Sequence, residues 1–201
     1  PSLDATATVS PSGLRGKLAI QASWGGDIYI YDLASEELSL LTGGFDPAIS
    51  PDGKQVAFTR DGGENGIYVI DVGGGTARLI FSGRERLRSP KWSPDGRWIV
   101  FERSDEFIEC RLNDSGRCLP DTPFTDSLPR ALEWKAKLAR VDANGGNYRD
   151  LAVLDRAHAP DWNTDGIVYH SPAGVQVTED KADARSREVY FDVQKQYELD
   201  P

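Results

Sequence analysis

The 201-residue chain has no methionine, two cysteines and two histidines. It has no basic excess either. Its 23 Lys and Arg stand against 32 Asp and Glu, for a net charge of −9. That balance argues against nucleic acid, which wants a basic face, and disfavours anionic membrane surfaces. No apolar run approaches the roughly 18 residues of a membrane span. No segment keeps the apolar period of about 3.6 residues that helical repeats need. No G-x-S-x-G elbow marks a hydrolase nucleophile. Two cysteines and two histidines are too scattered for a zinc ligand set. No catalytic residue, metal ligand or cofactor is therefore expected.

What the chain does have is a repeated phrase. Ser50-Pro51-Asp52-Gly53-Lys54-Gln55-Val56-Ala57-Phe58 returns as Ser93-Pro94-Asp95-Gly96-Arg97-Trp98-Ile99-Val100-Phe101. A drifted copy is Asn163-Thr164-Asp165-Gly166-Ile167-Val168-Tyr169, and a fainter one begins Ser10-Pro11-Ser12-Gly13. Pro11 to Pro51 is 40 residues and Pro51 to Pro94 is 43. Asp95 to Asp165 is 70, so the third unit carries an insertion at 104–133. Pro47, Pro90 and Pro160 precede the phrase in register.

Each unit predicts four short strands, A to D. The A–B turn is Ser-Pro-Asp-Gly. Proline presets φ, the Asp side chain bonds its own backbone, and Gly accepts positive φ. Asp52, Gly53, Asp95, Gly96, Asp165 and Gly166 are thus turn residues with a structural role. Strand B is a continuous apolar run, as in a strand buried on both faces. Strand C alternates and ends in an acid, as in Ile67-Tyr68-Val69-Ile70-Asp71. Antiparallel four-stranded units of about 40 residues are β-propeller blades. The fold expected is all-β, with about four blades at 6–42, 45–85, 88–156 and 158–197, in one domain over 1–201. A short helix is admitted only within 127–135, where Pro129 suits a first turn.

The phrase, with its preceding Pro and Trp and its V/I-A/V-F strand, resembles the repeat of TolB-type propellers. The same repeat occurs in the non-catalytic propeller of prolyl-oligopeptidase-like peptidases. The resemblance implies rings that usually close with six blades, so these four are expected to belong to a larger ring, incomplete at its C-terminal end. A complete four-bladed ring is the alternative. An incomplete ring would expose blade flanks, around Ile20 and Ile30 in blade one and Val168, Tyr169 and Val177 in blade four. Other copies or the remaining blades would then cover them.

Cys110 and Cys118 flank the turn Asn113-Asp114-Ser115-Gly116 within the insertion. A seven-residue gap across a turn lets two Cβ atoms reach disulfide distance. A disulfide is expected, and with it an extracytoplasmic location, periplasmic or secreted; two reduced thiols are the alternative.

Asp161-Trp162-Asn163-Thr164-Asp165-Gly166 fits the opening of a calcium loop, but Pro172 stands where the bidentate Glu belongs. It reads as a drifted blade turn. Trp92, Trp98, Trp162 and Phe101 recur at repeat positions and read as inter-blade core. His158 and His170 lie toward one face and read as surface residues. The B–C and D–A connections emerge on that face, and its unusual residues collect there. Trp24, Arg60, Arg84, Arg86, Arg88 and Arg103 are the binding candidates, since arginine pairs with carboxylates and is enriched at interfaces. The function read from the sequence is a non-catalytic binding or scaffold propeller with a protein or surface-ligand partner. The alternative is the gating propeller of a serine oligopeptidase.

Overall fold

The computed structural model describes residues 13–62, 65–114 and 118–190. Among them there is no helix, and the strands form four successive meanders. The first holds β1 (Lys17–Gln21), β2 (Asp27–Asp32) and β3 (Glu37–Gly43). The second holds β4 (Phe45–Ile49), β5 (Gln55–Arg60), β6 (Gly66–Asp71) and β7 (Arg78–Ser82). In the third, β8 (Arg86–Trp92) and β9 (Trp98–Ser104) precede an inserted sheet. That sheet comprises β10 (Phe107–Leu112), β11 (Cys118–Leu119) and β12 (Arg130–Trp134). The third blade then resumes with β13 (Lys137–Asp142) and β14 (Arg149–Asp150). The fourth holds β15 (His158–Asn163), β16 (Gly166–Ser171), β17 (Gly174–Thr178) and β18 (Arg187–Tyr190). Every neighbouring pair is antiparallel, and blades two to four have four strands each in the order A-B-C-D. The A strand expected near Ser10-Pro11-Ser12 lies outside the described residues.

The repeated turns form as their chemistry requires. Ser50 Oγ donates to Asp52 Oδ1 at 2.6 Å and accepts the Gln55 amide at 2.9 Å. Ser93 Oγ donates to Asp95 Oδ1 at 2.6 Å and accepts the Trp98 amide at 2.9 Å. Gly53 and Gly96 take φ of 71° and 70°, which a Cβ would oppose. In the drifted copy the acceptor has moved: Asn163 Oδ1 takes the Asp165 amide at 2.8 Å.

The three prolines mark a shared device. Asp46, Ser89 and Ala159, each before its proline, take φ of 53°, 52° and 47°. Each coincides with a register shift between the A and B strands. This is a β-bulge that bends the A strand beside a proline unable to donate to the ladder. The bulge amides bond across blades. Asp46 N–H donates to Gln21 Oε1 at 2.8 Å and Ser89 N–H to Asp46 Oδ2 at 3.0 Å.

Packing follows one pattern at all three blade junctions. Ile28 and Ile30 of blade one meet Val56, Phe58, Tyr68 and Ile70 of blade two. Ala57, Ile67 and Val69 of blade two meet Ile99, Phe101, Ala139 and Val141 of blade three. Val100 and Leu138 of blade three meet Ile167 and Tyr169 of blade four. In blades two and three the B and C strands therefore bury both faces, as their apolar runs foretold. Trp92 is buried and its indole N–H donates to Ala48 O at 2.9 Å. Trp98 departs from the core expectation: it is half-buried, beneath the Arg140 guanidinium at 3.8 Å.

Two expectations are corrected. The segment 127–135 is not helical. Residues 130–134 pair with β10, where cross-strand bonds outcompete a local helical preference. Ile30 and Tyr169 are not on open flanks. Both point into blade junctions, because alternation sends their neighbours outward instead.

Candidate functional site

The inserted sheet stands on the face where the B–C and D–A connections emerge. Cys110 within β10 is bonded to Cys118 of β11, with Cα atoms 5.4 Å apart. Arg111, nearly buried, organises the rest. Its Nε reaches Asp121 Oδ1 at 2.7 Å and Nη2 reaches Asp126 Oδ1 at 2.6 Å. Its Nη1 reaches the carbonyls of Asp126 and Leu128. A long connection is thereby held in one shape, and β12 carries Trp134 back toward blade two.

Between that sheet and blade two lies a groove of about 1010 Å³. Asp61, Asn65 and Arg88 line it, with Leu79 and Trp134 as apolar walls and Arg84 and Arg86 beside them. The volume suits a side-chain cluster or short peptide segment rather than an ion. Phe107 supports Trp134, ring centroid to ring centroid at 3.6 Å.

The candidate residues separate by their partners. Arg88 is buried and gives a forked pair to Asp61, whose carboxyl it holds below the usual carboxylate range. It lies 4.2 Å from the Phe45 ring centroid and 5.6 Å from that of Trp24. Arg60 stacks on Phe58 and Tyr68 and donates to Thr42 Oγ1 at 2.7 Å, tying blade two to blade one. Arg103 forks onto Asp150 at 2.8 and 3.2 Å and also reaches Glu85 at 3.4 Å. Burial raises the Asp150 pKa, but bonds from Tyr148 and Arg103 outweigh it and the net shift is downward. These three arginines are internal ties. Their charge is committed.

Arg86 is looser. It sits 3.5 Å from Glu102 Oε1 and 6.0 Å from the Trp134 ring. Glu102 is shared with His158 Nδ1 at 3.3 Å. His158 is the cross-strand neighbour of His170, and no group of three or more His, Cys, Asp or Glu that could hold a metal occurs among the described residues. Arg84 is exposed and has no hydrogen-bond or ion-pair partner among the described residues. Trp24 is 71% exposed, edge-on to Phe45 at 5.3 Å. Three arginines against two carboxylates line the groove, so it is locally cationic in an acidic chain.

The structure therefore brings together Arg84, Arg86 and Arg88 and places Trp24 against Arg88. Arg60 and Arg103 do not line the groove. Sequence reasoning missed Trp134, Asn65 and Leu79. Trp134 had a signal: a tryptophan outside any repeat position, directly after the insertion at 104–133. At the groove, Arg88 Nε and Asn65 Oδ1 are buried without a hydrogen-bond partner among the described residues.

Comparison with known proteins places the fold. No known family model matches the chain. An uncharacterised protein of Agrobacterium fabrum is 30% identical over 151 residues, 58% of this chain and 50% of that protein. The Tol-Pal system protein TolB of Thioalkalivibrio sulfidiphilus is 35% identical over 72 residues, 35% of this chain and 16% of that one. The match thus spans half or less of these relatives. The crystal structure of TolB from Acinetobacter baumannii superimposes with a TM-score of 0.56 at 20% identity. It covers 85% of this chain and 40% of that one. Pyrococcus horikoshii acylaminoacyl peptidase gives a TM-score of 0.52 at 19% identity, over 80% and 27%. In strand order and blade packing the chain has a β-propeller fold, similar to that of the TolB structures.

Proposed function

We propose that this is a non-catalytic, extracytoplasmic binding propeller that docks a protein partner in the groove between blade two and the inserted sheet. The partner segment it fits carries a carboxylate beside an apolar side chain. One observation carries the reading: Arg84 is exposed, and unpaired among the described residues, at a groove walled by Leu79 and Trp134. An arginine offers a fork of donors matched to a carboxylate, and an aromatic wall accepts the neighbouring apolar group. The Cys110–Cys118 bond supports the location, since such bonds persist in oxidising compartments. Resemblance to TolB, a Tol-Pal system protein, supports a binding role.

Titration with a synthetic peptide of alternating Glu and Leu tests this. Wild-type protein should bind it, and a Lys-Leu peptide should not bind. Arg84→Glu should weaken binding at least about tenfold, since a hydrogen bond to a charged group is worth roughly 1.5–3 kcal/mol. Equal affinity for both peptides, or no effect of Arg84→Glu, would exclude the groove.

The similarity to acylaminoacyl peptidase favours a second reading, a propeller that gates a hydrolase domain. A G-x-S-x-G elbow followed by Asp and His in the same open reading frame would establish it. Further propeller repeats there without one would remove it.

A further inference from the structure

The inserted sheet has the order β11-β10-β12, so β12 is an outermost strand that pairs with β10 alone. The ladder fixes which of its backbone groups are spent. Leu112 N–H donates to Pro129 O and Lys135 N–H to Glu106 O, each at 2.9 Å. Ala131 opposite Cys110 and Glu133 opposite Ile108 fall between them, two residues apart. In an antiparallel pair, hydrogen-bonded positions alternate with positions whose groups face away. Ala131 and Glu133 therefore bond to β10. Arg130, Leu132 and Trp134 turn their amides to the free edge, and no hydrogen bond takes those amides among the described residues.

The side chains of these three residues share one face, since alternate residues of a strand do. Leu132 is 65% exposed, and Phe107, opposite Trp134, is 52% exposed. Trp134 is also a wall of the groove, so this apolar row continues out of it. The other face is occupied: Arg156 Nη1 donates to Glu133 Oε2 at 2.9 Å. Of the charges without an ion-pair partner among the described residues, Arg84 and Arg130 stand beside this edge against Glu109, so its surplus is cationic. An open edge offers donors and acceptors in the spacing of another strand. Main-chain bonds then give affinity, and every second side chain gives specificity.

We infer that the partner segment binds as an added strand on the free edge of β12. The occupant is an extended, acidic stretch of a partner protein with apolar residues at alternate positions. Its apolar side chains pack on Leu132 and Trp134 as cross-strand neighbours. Its backbone bonds to the outward groups of Arg130, Leu132 and Trp134. The inference rests on the docking reading above and adds how the segment lies.

Two N-methylated forms of the Glu-Leu peptide test it. A peptide residue beside Leu132 on the same face turns its own N–H to β12. Methylating the leucine amides should therefore weaken binding at least about tenfold, and methylating the glutamate amides should change it by less than about threefold. On the protein, Leu132→Pro removes one outward N–H and no bond to β10. It should weaken binding at least about tenfold, while Leu132→Val, which keeps the donor, should not. The methylated pair leaves the protein untouched and so decides the matter even if Leu132→Pro unfolds the insertion. With peptide bound, exchange should slow at the Leu132 and Trp134 amides and stay unchanged at Ala131 and Glu133. Equal affinity of both methylated forms, or equal loss in both, overturns strand addition and leaves the docking reading standing if Arg84→Glu still weakens binding. No binding of the unmodified peptide overturns both. A dimer that Leu132→Pro abolishes and the peptide fails to dissociate would give the edge to a second copy and overturn the inference.

Discussion

Replacing Asp95 by alanine breaks the relay that closes the A–B turn of blade three. Asp95 Oδ1 accepts from the Ser93 hydroxyl at 2.6 Å and the Arg97 amide at 3.1 Å. The Ser93 hydroxyl, oriented by that bond, accepts the Trp98 amide at the head of β9. The carboxylate side chain is 49% exposed, so solvent replaces part of what is lost. Asp95→Ala should therefore cost on the order of 1 kcal/mol, a fall in Tm of about 2–4 °C for a chain of this size. Ser93 is buried. Ser93→Ala removes the Trp98 acceptor outright and should cost more, roughly 1–3 kcal/mol. Because both residues serve one relay, the double variant should cost less than the two added, by about 0.5–1 kcal/mol. Asp165 is the internal control. Its turn uses Asn163 as the acceptor, so Asp165→Ala should shift stability by under about 0.5 kcal/mol. Denaturant unfolding of the four proteins measures all of this, and peptide binding should be unchanged throughout. If Asp95→Ala left stability intact but abolished binding, the turn would be a site and the structural assignment would fall.

Other consequences concern the ionic ties and the staple. Asp61→Ala leaves the buried Arg88 guanidinium unpaired and should cost roughly 1.5–3 kcal/mol, read by urea unfolding; a neutral result would mean that water reaches Arg88 freely. Arg88 lowers the Asp61 pKa, and the Ser93 hydroxyl, first among its hydrogen bonds, lowers that of Asp95. Both therefore stabilise the fold above the unfolded carboxylate value of about 3.9, and that stability is lost as pH falls through their lower folded values. Tm should hold from pH 7 to about 5 and drop below about 4, with a shallower drop in Asp61→Asn/Asp95→Asn. Reducing Cys110–Cys118 should loosen the insertion rather than the blades. Amide exchange should quicken over 107–134 and remain slow in β5 and β9.

The blades were legible because their signals are local. Turn chemistry, a continuous B strand and an alternating C strand each fall within nine residues, and burial on both faces follows from them. The bulges were half legible. Pro47, Pro90 and Pro160 marked the place, but positive φ at Asp46, Ser89 and Ala159 is imposed by the neighbouring blade, not by those residues. Residues 130–134 defeated local reading for the same reason, since their partner β10 lies across a disulfide-tied turn. The arginines show where site prediction stops. Arg84 and Arg88 look alike in sequence, four residues apart. Only the fold brings Asp61 to Arg88 and leaves Arg84 without a mate among the described residues.

The A–B turns are structural, and the docking proposed above falls on the groove beside blade two. Amide hydrogen exchange with and without the Glu-Leu peptide tests that separation most directly. Protection should appear at Asp61, Asn65, 82–88 and 132–134 and be absent from the turns at 50–54 and 93–97. Protection at those turns, or no protection anywhere at saturating peptide, would contradict it.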